Sequence, residues 1–257
     1  MAIDFDKIRE KVAQLSGQGR KSSMWRPEPG NEYEVRLLPW PDGNNGQPAK
    51  ERSFYYNIGN GRAILAPSQF GKKDPVQELI NKLRSDGRPE AMELAKQYYP
   101  KRRYYAPIIV RGKEDEGVKL WSFGKQICES LLNYMLGDFG DITDPKEGRD
   151  VKVVCKQQPG KQFADTTVAP RIPQTPLGPA AKMKEWLKGV PDLDEIYQQT
   201  PAEEIEKRLN EHLNGDSGDG LDSKDNGGRR NASSDVSSEE HSSIDDVFAK
   251  LGEVVEG

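Results

Sequence analysis

Lys101-Arg102-Arg103-Tyr104-Tyr105-Ala106-Pro107-Ile108-Ile109-Val110-Arg111, followed by Gly112-Lys113-Glu114-Asp115-Glu116-Gly117 and Val118-Lys119-Leu120-Trp121-Ser122-Phe123, is the most informative run of the chain. Two β-rich segments, Arg103 to Arg111 and Val118 to Phe123, flank a charged stretch bounded by glycines, which predicts a hairpin with a charged tip. Upstream, Tyr33, Val35 and Leu37 alternate with Glu34, Arg36 and Leu38 until Pro39-Trp40-Pro41-Asp42-Gly43 imposes a turn. Further short strands are expected at Arg52 to Ile58, Arg62 to Leu65, Asp150 to Lys156 and Gln162 to Val168.

Helices interrupt this β pattern. Asp74 is placed to cap a helix with Pro75 at its first position, and Val76, Leu79, Ile80 and Leu83 form one apolar stripe. A second helix is expected over Pro89 to Gln97, and a third from about Lys125, turning Ile127, Leu131, Tyr134 and Met135 inward. Pro173-Gln174-Thr175-Pro176-Leu177-Gly178-Pro179 reads as an extended linker, after which helices return and Trp186 packs on a helix face. Thr200-Pro201-Ala202-Glu203 has the spacing of a capping box and introduces Ile205 and Leu209, with the last helix ending near Leu213. Mixed short strands with inserted helices predict an α+β body around a small β-barrel.

Composition divides the chain. Only 34% of residues are hydrophobic against 31% charged, so part of the chain is expected to stay solvated. Residues 1 to 210 carry 34 Lys and Arg against 30 Asp and Glu, whereas residues 211 to 257 carry 4 against 12. A basic body thus precedes an acidic tail, a pairing in which the body attracts polyanions and the tail competes with them. From Asn214 onward Gly, Ser, Asp and Asn dominate and predict disorder. At its end Ile244, Val247, Phe248 and Leu251 fall at helical spacing beside Asp245 and Asp246, a short amphipathic hook for partners. At the other terminus Phe5, Ile8, Val12 and Leu15 form an amphipathic arm, too short to be stable without docking on the body or a neighbour. The first residues lack signal-peptide character and no apolar run reaches eighteen residues, so a soluble intracellular protein is expected.

Catalytic constellations are missing. The sequence contains no P-loop, no G-x-S-x-G, no H-E-x-x-H, and no histidine before His212 to serve as a general base. Cys128 and Cys155 lie in apolar surroundings without metal-ligand spacing, so no metal and no cofactor are expected. The carboxylates of Glu114-Asp115-Glu116 and of Asp138, Asp141 and Asp144 read as solvated surface, and a metal-dependent nuclease built on them is disfavoured.

The stronger signal is aromatic residues interleaved with basic ones. Tyr98-Tyr99-Pro100-Lys101-Arg102-Arg103-Tyr104-Tyr105 sets three cations between two tyrosine pairs. Single-stranded nucleic acid calls for both types, because bases stack on flat rings while Lys and Arg neutralise phosphates along the same groove. Arg52 with Tyr55 and Tyr56, and Lys119 with Trp121, Phe123 and Lys125, repeat the pattern, and Arg62, Lys72 and Lys73 complete the candidate set. Adjacent tyrosines in a strand face opposite sides, so one of Tyr55 and Tyr56 and one of Tyr104 and Tyr105 is expected in the core. Stacking and phosphate contacts do not separate DNA from RNA without a reader of the 2′-hydroxyl, which keeps a single-stranded RNA-binding regulator as the alternative.

These residues resemble the single-stranded DNA-binding proteins of T4-like phages, the gene 32 type, from about Trp25 to Leu213 and again in the tail. The segments that carry the likeness are Trp25-Arg26-Pro27-Glu28 leading to Glu34-Val35-Arg36-Leu37-Leu38-Pro39, Lys101 to Val110, and Glu116 to Ile127. The resemblance implies an OB-fold core, a five-stranded Greek-key barrel, and cooperative binding that coats and protects the strand during phage DNA replication, recombination and repair. It also implies a location in the cytoplasm of the infected bacterial host, and an acidic tail that contacts replication and recombination proteins. Arg20-Lys21-Ser22-Ser23 is similar to the family's basic motif for self-association. The best-known members hold a zinc with one His and three Cys, whereas Ala63 to Val76, the corresponding stretch here, contains neither residue type. The expected organisation is therefore an arm at 1–24, a DNA-binding core at 25–213 and an acidic tail at 214–257.

Overall fold

The computed structural model describes residues 23–59, 63–161 and 163–213. The N-terminal arm, Arg20, Lys21, Ser22, Arg62 and the whole tail with Ile244, Asp245, Asp246, Val247, Phe248 and Leu251 lie outside the described residues. The described residues form eight strands: β1 Met24–Trp25, β2 Glu32–Leu37, β3 Lys50–Tyr55, β4 Ile64–Leu65, β5 Lys101–Val110, β6 Lys119–Phe123, β7 Asp150–Lys156 and β8 Asp165–Pro170. The helices are α1 Pro75–Asp86, α2 Pro89–Gln97, α3 Lys125–Leu136, α4 Ala180–Lys188, the single turn α5 Leu193–Ile196, and α6 Ala202–Leu213. The architecture is α+β. The described chain divides into two compact units, the first comprising residues up to Arg52 and Arg102–Gln198, the second Ser53–Lys101 and the residues from Gln199.

In the first unit a mixed sheet runs in the order β1-β6-β5-β2-β7-β8. The expected hairpin is β5 with β6, where Tyr104 pairs with Phe123 and Ala106 with Trp121. β2 is central, with Val35 opposite Val110 of β5 and opposite Val151 of β7. Alternate residues of these strands, among them Val35, Leu37, Ala106, Ile108, Trp121, Val151 and Val153, fill one core beneath Cys128 and Leu131 of α3. The other face is covered as well: Leu38 and Ile109 meet Leu177 and Trp186 of α4. Burial on both faces explains why β5 is an unbroken apolar run from Tyr105 to Val110 instead of an alternating one.

The second unit is helical around a short hairpin, Phe54 opposite Leu65 and Tyr55 opposite Ile64. The predicted stripe of α1 joins Ala91 and Ala95 of α2 and Ile205 and Leu209 of α6 in one core. Asp74 caps α1 by accepting from the Gln77 N–H at 3.1 Å. Its other oxygen accepts from the Tyr55 hydroxyl at 2.8 Å and the Ser68 N–H at 3.1 Å. Burial, reinforced by the Asp74 carboxylate, pushes the Tyr55 phenol well above its ordinary range.

Several boundaries differ from expectation. β3 begins at Lys50 rather than Arg52, and β8 runs Asp165–Pro170 rather than Gln162 to Val168. The latter shift follows from the turn after β7, where Gly160 takes a φ of 80° and Lys161 N–H closes on Gln158. β1, parallel to β6, was not anticipated, because two residues carry no periodicity.

Arg36 departs furthest from its expected place on the polar side of β2: it is 0% exposed. Its Nη2 donates to the Asp144 carbonyl at 2.7 Å and its Nη1 to Thr175 Oγ1 at 3.1 Å, with Asp150 at 3.6 Å. Burial pulls the guanidinium pKa down, and Asp150 works against that loss. Arg111 also grips Asp150, at 2.8 Å, and donates to the Leu177 carbonyl at 2.9 Å. Gly148 passes so close that a Cβ there would stand 2.5 Å from the Asp144 carbonyl and 2.7 Å from Arg36 Nη2. Arg36→Ala is therefore expected to cost about 3–5 kcal/mol in urea unfolding, because it empties a fully buried side-chain site and takes the donor from the Asp144 carbonyl and the Thr175 hydroxyl, while Arg111 keeps hold of Asp150. Gly148→Ala should lower the urea midpoint in the same direction. The Glu147 and Lys146 N–H groups hold the Asp144 carboxyl below the usual carboxylate range. Its stabilisation is full above that range and declines as pH falls through the depressed value, which an acid titration of Asp144→Asn against the parent will register as a smaller loss in the variant.

Candidate nucleic-acid interface

The apolar run of β5 begins at Tyr105, so the basic residues just before it stay in solvent. In the first unit Arg102 and Arg103 are exposed and Tyr104 is half-buried. The Arg102 Nε lies 3.4 Å from Glu51 of β3, whose carboxylate also bears on the Tyr104 phenol. Lys125, at the first turn of α3, is exposed with its ammonium 3.2 Å from Glu129. Beside Tyr104 and Lys125 a pocket of ≈ 220 Å³ opens, walled also by Pro48, Glu51, Cys128 and Glu129. Burial is the main cause that pushes the Tyr104 phenol up, with the neighbouring Glu51 charge adding to it.

Several predicted stacking residues are core instead. Trp121 is 1% exposed and Phe123 3%, their rings packed 4.7 Å apart with Trp25 against Trp121 at 5.5 Å. Tyr105 is 2% exposed and lies against Tyr197. As folded, these rings present no face to a base. Each falls in a segment with two-sided burial, which overrides the pattern of rings beside cations. Lys119 is largely covered, 3.5 Å from Glu116, and Arg52 pairs with Asp194 at 2.6 Å.

In the second unit Tyr55 and Tyr56 divide as expected for neighbours in a strand, and Tyr98 and Tyr99, just after α2, divide in the same way. Tyr55 and Tyr98 are buried, at 1% and 6% exposure, whereas Tyr56 and Tyr99 are exposed at 38% and 42%. Lys101 Nζ stands 6.0 Å from the centroid of the Tyr56 ring, a cation beside an open π face. Lys72 and Lys73 are also exposed, the latter 3.9 Å from Glu206.

One residue was missed. Phe163, in the connection between β7 and β8, is 74% exposed, and Lys156 and Lys161 are exposed nearby in sequence. The signal was present as Pro159-Gly160-Lys161-Gln162-Phe163, an aromatic next to cations after a turn, but a strand over Gln162 to Val168 had absorbed it.

Open rings and cations therefore occur on both units: Arg102, Arg103, Tyr104, Lys125 and Phe163 on the first, and Tyr56, Lys72, Lys73, Tyr99 and Lys101 on the second. Among the described residues no group of three or more His, Cys, Asp or Glu converges as a metal site. Cys128 and Cys155 are buried free thiols. The chemistry offered is stacking and charge neutralisation, the two contacts that a flexible polyanion of bases needs.

A protein-family model described as gp32 DNA binding protein like matches residues 30–214. No curated protein matches the chain.

Two substitutions separate surface rings from core rings. Phe163→Ala should weaken binding of a labelled dT oligomer by about 1–3 kcal/mol in anisotropy titrations, with the melting temperature unchanged. Trp121→Ala should instead lower stability by about 3–5 kcal/mol, read by urea unfolding.

Proposed function

The chain belongs to the gp32 DNA-binding-protein-like family, whose model covers more than half its length, and we propose that it is a sequence-tolerant single-stranded DNA-binding protein that acts without catalysis. The observation that carries this reading is the set of solvent-facing rings beside cations at the start of β5 and on Tyr56, Tyr99 and Phe163. Each ring offers stacking to any base, and each cation offers a phosphate partner. In this reading the first unit's sheet serves as an OB-type barrel. The arm before residue 24 supports cooperative self-association through Arg20, Lys21, Ser22 and Ser23, and the strand is coated and protected in phage replication, recombination and repair inside the infected bacterium. Among the described residues no helix is long and apolar enough to cross a membrane.

The tail supplies the regulatory part of the proposal. With 12 acidic residues against 4 basic ones after residue 210, it competes with phosphates for the basic surface. Its end, Ile244, Asp245, Asp246, Val247, Phe248 and Leu251, serves as the handle for replication and recombination proteins.

Titration with poly(dT) across salt, followed by tryptophan fluorescence, tests the reading. Quenching that weakens steeply with salt is expected, at roughly 0.7 in log-log slope per phosphate contacted. Equal affinity for duplex and single strand would overturn the proposal, and tighter binding of U than dT oligomers would move it to RNA. Removing residues 214–257 should raise affinity most at low salt, where the tail's charge is least screened. Unchanged low-salt affinity in the shortened protein would rule out competition by the tail.

A further inference from the structure

The pocket beside Tyr104 carries chemistry that sequence-tolerant binding does not use. It lies wholly in the first unit, and its ≈ 220 Å³ is smaller than the about 300–1,000 Å³ of sites that enclose a drug-sized ligand, a size for a single small ring. Glu51 enters from β3 and Glu129 from the second turn of α3. Cys128 lines the same pocket, and burial foremost, then the charges of Glu51 and Glu129, pushes its thiol up. Two carboxylates from different elements, 43% and 54% exposed, thus line one open pocket together with the Tyr104 ring.

Their counter-cations sit on the rim. Arg102 is 68% exposed at 3.4 Å from Glu51, and Lys125 is 75% exposed at 3.2 Å from Glu129. Ion pairs this exposed contribute little, so a phosphate can take either cation with small loss. Once Arg102 and Lys125 turn to the DNA backbone, Glu51 and Glu129 remain as acceptors facing the pocket. A carboxylate only accepts hydrogen bonds, so it favours a base edge that donates and disfavours one that presents a carbonyl. Cytosine places an amino donor at C4, whereas thymine and uracil place a carbonyl oxygen there.

Building on the single-stranded DNA reading, we propose that this pocket holds one nucleobase by its exocyclic amino group, with Glu51 and Glu129 as acceptors and Tyr104 as the stacking wall. The protein then prefers cytosine to uracil or thymine at that position, a hydrogen-bonded selectivity superimposed on indiscriminate stacking. The cations and carboxylates exchange partners together: phosphate replaces carboxylate on Arg102 and Lys125, and the amino group replaces the cations on Glu51 and Glu129.

The test is an anisotropy competition between dC and dU oligomers of equal length, at one salt concentration, with the full-length protein. The two pyrimidines differ at C4 and N3, so stacking and backbone contributions are closely matched. Wild-type protein should bind dC about tenfold more tightly than dU. In the double variant Glu51→Gln and Glu129→Gln each amide both donates and accepts, so the ratio should fall within about twofold while dU affinity holds or rises. Equal wild-type affinities, or a preference that survives in the variant, overturns the base pocket. Loss of binding to both oligomers by wild-type protein has a different signature and overturns the DNA-binding reading beneath it.

Discussion

A guanidinium at 0% exposure in the middle of a sheet must find partners, and the first unit is organised around supplying them to Arg36. Its acceptors come from three separate stretches: the Asp144 carbonyl in the loop after α3, Thr175 in the linker, and Asp150 at the start of β7. Arg111 repeats the arrangement from the residue just after β5, holding Asp150 and the Leu177 carbonyl together. The two arginines therefore fasten a linker that has no secondary structure of its own across the second face of the sheet. Leu177 is buried as a result, and Trp186 of α4 closes over it against Leu38 and Ile109. Gly178 is obligatory at this point, since a Cβ there would lie 2.6 Å from the Trp186 ring.

Covering that second face decides where a ligand can reach β5. From Tyr105 onward both sides of the strand are enclosed, so only its first residues present side chains to solvent. The same constraint buries Trp121 and Phe123, because each pairs across the hairpin with β5 at Ala106 and Tyr104. Among the described residues, Tyr104, Tyr56, Tyr99 and Phe163 keep ring surface in solvent, near strand ends and in connections, where burial stops.

Much of the architecture was legible because its elements obey local rules. The Asp74 cap, Pro75 and the apolar stripe of α1 are one consistent signal, and the hairpin of β5 and β6 stood out from its glycine-bounded charged tip. What escaped depends on partners distant in sequence. Arg36 read as an outward polar residue in an alternating strand, and only residues 108 and 139 positions away turn it inward. The candidate site was legible as a composition and less so as a list. Lys101, Arg102 and Arg103 are exposed as the pattern implied, but a ring beside a cation in sequence does not reveal whether a second layer covers it, which is the fate of Tyr105, Trp121 and Phe123. Tyr55 against Tyr56 was decided in kind by strand geometry, and the buried Asp74 chose which of the two turned inward.

The surface is less basic in effect than its count of cations implies. Arg102, Lys125, Lys73, Lys119 and Arg52 each have a carboxylate within 4 Å, so the folded body already satisfies much of its own positive charge. A phosphate that binds such a cation displaces an internal carboxylate as well as a mobile counterion, and the electrostatic gain is the difference between two similar pairs. Stacking then carries a larger share of the affinity, which favours unpaired bases over duplex, whose bases are already stacked and enclosed.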